Sequence, residues 1–164
     1  MNDPVTFLKN SLTKRGKTDP KGVYLTNLSI TADAGADYGY DEPSGGVAQL
    51  VRREIDEGDG WGKLLIQIRR QPESEIHRTL DGPFGKCIIQ FIPEDHDLSC
   101  NVFIARLEVN NFEYCVRVFQ EFLKSFAEFA GLTPTYVRFT VGVALYTWPQ
   151  MVEDGVAEER EIEY

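Results

Sequence analysis

Residues 110–130 constrain the fold most. Phe112, Cys115, Val116, Phe119, Phe122, Leu123, Phe126 and Ala130 recur at helical spacing. Glu113, Arg117, Gln120, Glu121, Lys124 and Glu128 occupy the opposite face. A helix with so broad an apolar stripe folds only where another layer covers that stripe. Asn110 or Asn111 is expected to cap it, and Gly131 and Pro134 stop it. Residues 136–148 then alternate as a long strand. Val137, Phe139, Val141, Val143 and Leu145 are expected on one face, against the Phe helix. Tyr136, Arg138, Thr140, Gly142, Ala144, Tyr146 and Trp148 fall on the other, with Gly142 marking a bulge or bend.

The remaining punctuation supplies the partners of this unit. Asp3-Pro4, followed by Val5, Leu8 and Leu12, predicts a helix over 4–15, ended by Lys14, Arg15 and Gly16. Residues 16–21 read as a basic turn and 22–32 as a strand. Residues 33–46, with four Gly and a Pro, form a loop. A short helix is expected at 47–56 and a strand near 63–69. Residues 75–80 and 86–92 read as a hairpin. Residues 101–109 give a strand with Phe103, Ala105, Leu107 and Val109 on one face. The fold class is therefore α+β. A mainly antiparallel sheet of five to six strands carries the long helix (about 111–130) on one face, beside a short N-terminal helix. Strand–helix–strand over 101–148 allows one parallel crossover.

At 164 residues the chain reads as one domain over 1–149 with an acidic, flexible tail over 150–164. Its net charge of −9 is unevenly placed: +3 over residues 1–22, −6 over 33–60, −1 over 61–149 and −5 over 150–164. The acidity argues against direct nucleic-acid or anionic-membrane binding. No apolar run reaches the roughly 20 residues that span a bilayer, and no export signal is recognisable. Cys87, Cys100 and Cys115 are odd in number and widely spaced, as expected of thiols in a reducing cytoplasm.

Chemical motifs are sparse. His96 lies in Glu94-Asp95-His96-Asp97, with Cys100 four residues on. These could form a Cys–His group with Asp95 or Asp97, but i±1 neighbours in a turn point apart. No set of four ligands at structural-zinc spacing appears, so neither metal nor cofactor is expected. Gly58-Asp59-Gly60-Trp61-Gly62-Lys63 precedes a strand rather than a helix and lacks a following Ser or Thr, which excludes a phosphate loop.

The surface reading centres on Asp37, Tyr38, Tyr40, Asp41, Glu42, Trp61, Tyr146 and Trp148 as partner-binding residues. It predicts a non-catalytic acidic module acting on a basic protein partner, as an inhibitor, immunity or anti-defence protein, or chaperone-like protein. The alternatives are a small enzyme using His96, Asp95, Asp97 and Cys100, and a self-assembling structural subunit, with a homodimer seam on the last strand.

Overall fold

Asp3 sets the first helix, α1 (Pro4–Arg15), by accepting hydrogen bonds from the Val5 and Thr6 amides at 2.9 and 3.4 Å. Pro4 starts it and Gly16 follows it, as the sequence predicts. The computed structural model describes residues 3–41, 46, 49, 51–53, 56, 76–82 and 85–157. Within the expected 47–56 helix, residues 49, 51–53 and 56 are helical. The strand expected near 63–69 lies outside the described residues.

Among the described residues, six strands form one sheet: β1 (Lys17–Asp19), β2 (Gly22–Asp33), β3 (Ile76–Gly82), β4 (Gly85–Glu94), β5 (Asp97–Glu108) and β6 (Thr133–Thr147). Their spatial order is β1-β2-β6-β5-β4-β3. All neighbours are antiparallel except β5 and β6, which are parallel and joined by helix α2 (Val109–Ala130). A parallel pair needs a crossover that packs back on the sheet, and α2 is long enough and apolar enough to provide it. Its N-cap is Glu108 rather than Asn110 or Asn111, because β5 runs directly into the helix. It ends at Gly131, whose φ of 72° is the left-handed cap geometry. The Leu132 amide reaches back to the Ala127 carbonyl at 2.8 Å. A last helix, α3 (Trp148–Glu153), follows β6 and places Met151 in the core.

The core lies between α2 and one face of the sheet. Phe91 meets Phe126 at 4.4 Å between ring centroids, and Phe112 meets Phe139 edge-on at 5.1 Å. α1 closes the same layer through Leu8 and Leu12, both fully buried.

One row of the sheet breaks the expected alternation. Gly142 stands opposite Asn27 on β2 and Ala105 on β5, since the flanking pairs 26↔143, 28↔141, 104↔141 and 106↔143 keep register. On one side of this row the inward residues are Leu28, Ile30, Ala32, Val102, Ile104, Val137, Phe139 and Val141. On the other they are Val23, Leu107, Ala144 and Tyr146. Each strand spends one extra residue in the same row, so pairing survives while all three strands exchange faces together. Asn27 takes φ 55° there. A Cβ on Gly142 would come within 2.7 Å of the Ala105 carbonyl oxygen. The single continuous faces expected for residues 137–145 and 103–109 are thus corrected. Ala144 and Tyr146 are core residues, and Phe103 and Ala105 face away from it.

Candidate functional site

The sheet face opposite α2 is uncovered among the described residues. At its α3 end the rows can be read directly. Lys17, Tyr24, Leu145 and Glu108 are successive cross-strand partners, as are Thr26, Val143 and Arg106. Directly opposed residues share a face. The face exchange therefore brings Arg106, Glu108 and Leu145 to the open side.

The β1–β2 turn and α3 wall this end. The Asp19 carboxylate accepts from the Lys21 and Gly22 amides at 2.7 and 3.0 Å. The Trp148 amide donates to the Lys21 carbonyl at 3.1 Å, and its indole N–H donates to the Asp19 carbonyl at 3.3 Å. Thr147 caps α3 by accepting from the Gln150 amide at 3.4 Å. The result is a cleft of about 380 Å³ lined by Pro20, Lys21, Arg106, Glu108, Leu145, Thr147, Trp148 and Pro149. Leu145 is its apolar floor. The side chains of Lys21 and Arg106 have no ion-pair partner among the described residues.

The sequence-chosen residues go elsewhere, with one exception. Asp37, Tyr38, Tyr40 and Asp41 lie in a loop sewn onto α1 and α2. Tyr40 donates its hydroxyl to Asp3, and Arg117 donates to the Tyr40 carbonyl at 2.6 Å. The Asp33 amide donates to the Tyr38 hydroxyl at 3.0 Å, and the Asp41 amide to Glu113 at 2.9 Å. Buried Gln120 donates to the Asp33 and Ala36 carbonyls at 2.7 and 3.1 Å. Burial raises the phenol pKa of Tyr40, and its bond to Asp3 adds to the shift. Tyr146 is fully buried and donates to Asp154. Among the sequence-chosen residues that are described, Trp148 alone reaches the cleft. Glu42 and Trp61 lie outside the described residues.

His96 and Cys100 are not brought together. His96 is exposed in the β4–β5 turn, beside exposed Asp95 and Asp97, whereas Cys100 is fully buried. Burial pushes the Cys100 thiol up, as it does that of Cys115, so neither is a ready nucleophile. Cys87 is buried too. Among the described residues, no three His, Cys, Asp or Glu side chains are placed to hold a metal ion. No helix there is long and apolar enough to cross a membrane.

No family model matches the sequence, and no curated protein matches it. Among solved structures, the chain is similar to thymidylate synthase from T4 phage, with a TM-score of 0.71 and 11% identity over 95% of this chain and 79% of that one. At that identity the likeness concerns the fold. It nevertheless corrects the expected non-catalytic inhibitor, immunity or chaperone-like module, because the scaffold is one on which a known enzyme is built. The catalytic alternative is corrected by geometry, since its His96 and Cys100 share no surface. The structural-subunit alternative has no support in this likeness.

Proposed function

We propose that the chain binds a nucleotide in the cleft between the β1–β2 turn, β5 and α3, as an enzyme-type scaffold rather than a protein inhibitor. The observation that carries this reading is the pair of cations, Lys21 and Arg106, that have no ion-pair partner among the described residues and stand beside Trp148 and the Leu145 floor. Guanidinium and ammonium groups recognise phosphate, and an indole beside them offers a base a stacking surface. The likeness to a synthase named for thymidylate supports the same ligand class. Cys87, Cys100 and Cys115 are joined in no disulfide, which suits a reducing, cytoplasmic setting. The test is titration of a Trp61→Phe variant, which keeps Trp148 as the only indole, with thymidine monophosphate and with thymidine. The monophosphate quenches Trp148 and binds about ten-fold tighter than thymidine, and Arg106→Ala removes that difference. Equal binding of both, or none, overturns the reading.

A specific observation supports a homodimer as well. On the half of the open face toward the β4–β5 turn, Ile88 and Phe103 are 45% and 39% exposed around an apolar recess of about 440 Å³. No carboxylate stands in the rows Thr31–Arg138–Asn101–Gln90 or Ser29–Thr140–Phe103–Ile88, although the chain carries a charge of −9. Copies of an acidic chain meet here with least repulsion. Light scattering is expected to give a dimer that Ile88→Glu with Phe103→Glu converts to monomer. A monomer at every concentration overturns it.

A further inference from the structure

Lys17 is not needed by a single phosphate held between Lys21 and Arg106, yet the register places it on the same open face. It heads the row Lys17–Tyr24–Leu145–Glu108, whose last two members line the cleft. β5 lies three strand spacings away, ~14 Å, so Lys17 and Arg106 flank the floor from opposite sides. Lys17 is exposed and has no ion-pair partner among the described residues. Residues 14–21 carry Lys14, Arg15, Lys17 and Lys21 against Asp19 alone, a local charge of +3 on a chain of −9. Asp19 is already occupied by the Lys21 and Gly22 amides. Positive potential therefore rises from the cleft toward the β1 edge of the sheet.

Resting on the nucleotide reading above, we infer that the ligand carries a chain of phosphates, as a nucleoside di- or triphosphate does. The first phosphate meets Lys21 and Arg106, and the next ones run outward to Lys17. A polynucleotide is the poorer fit. β1 is only three residues long, and an acidic molecule surrounds this short basic stretch.

The experiment extends the Trp148 titration to thymidine mono-, di- and triphosphate at fixed ionic strength, with tripolyphosphate and a single-stranded oligonucleotide as competitors. Affinity is expected to rise about ten-fold from mono- to triphosphate. Lys17→Ala is expected to erase that rise while leaving the monophosphate affinity within about two-fold, since Lys17 is spatially separate from the first phosphate. Tripolyphosphate competes with the triphosphate and the oligonucleotide does not. Equal affinity for mono- and triphosphate overturns the inference and leaves the nucleotide reading standing. A uniform loss for all three in Lys17→Ala overturns it too, as does an oligonucleotide that displaces the triphosphate. Binding of none of the three nucleotides overturns the underlying reading and the inference with it.

Discussion

The seam between α1, the 34–41 loop and α2 uses the same residue types as the cleft at the α3 end, and treats them oppositely. In the seam they are paired: Tyr40 with Asp3, Arg117 with the Tyr40 carbonyl, Gln120 with two carbonyls. Below it, Lys9 reaches Asp154 at 2.9 Å, and Tyr146 donates to the same carboxylate. In the cleft, Lys21 and Arg106 lack ionic partners among the described residues, as does Lys17 on the β1 side of it. Polar groups consumed by the fold cannot also recognise a ligand, so the difference separates structural polarity from polarity left for binding. It follows that substitutions in the first region should cost stability and spare binding, and substitutions in the second the reverse.

Gly142 joins the two regions, because its row turns Arg106, Glu108 and Leu145 outward. Gly142→Val must displace the Ala105 carbonyl, a backbone atom in the sheet centre. A loss of about 3 kcal/mol or more in urea unfolding is expected, together with loss of the Trp148 quench. A variant that stays within about 1 kcal/mol of the parent would show that the row is not fixed there.

Gln120→Leu sharpens the comparison from the paired side. It removes the donor of the Ala36 carbonyl and the shorter of two donors to the Asp33 carbonyl, which keeps the Ala36 amide at 3.4 Å, at a site where Gln120 is 6% exposed. About 2 kcal/mol of stability should go, with unchanged nucleotide affinity. Reduced affinity at full stability would move the ligand to the α2 side.

Tyr146→Phe should cost about 1 kcal/mol, and its effect should depend on pH. Burial opposes ionisation of Asp154, but hydrogen bonds from Tyr146, Lys9 and Gln150 outweigh it and hold the carboxyl below its usual range. A depressed folded pKa contributes stability above the unfolded value of about 4, lost as pH falls through the folded value. Parent and variant unfolding energies should therefore converge below about pH 4. A gap independent of pH would mean that the hydroxyl acts through packing alone.

Much of this architecture was legible because it is locally encoded. Asp3-Pro4, the Phe stripe and Gly131 each announce an element through neighbours within a turn or two. The face exchange was not, because it depends on Gly142 meeting Ala105 across strands more than thirty residues apart in sequence, although Gly142 did mark the place. Trp148 was singled out as an aromatic near a strand end. Lys17 and Lys21 read as part of a basic turn, since a three-residue strand has no period to detect, and nothing local distinguishes Arg106. The acidic loop drew attention by charge. Its Asp37 is spent on the Gly39 amide at 2.9 Å, a turn that composition does not reveal.

The smallest expected stability change is also the most discriminating. Arg106 is exposed, on a strand whose pairing is carried by backbone groups, and no carboxylate holds its guanidinium among the described residues. Removing it should leave the unfolding free energy within about 0.5 kcal/mol, the range of surface changes that break no cap, network or core contact. Lys17 and Lys21 lie on the same face, but so does Glu108, so like and opposite charges offset and little salt dependence is expected. An arginine kept at no benefit to stability is one the fold does not need. Arg106→Ala measured by urea unfolding at two ionic strengths therefore decides which region it belongs to. A cost above about 1 kcal/mol would place it with the paired network.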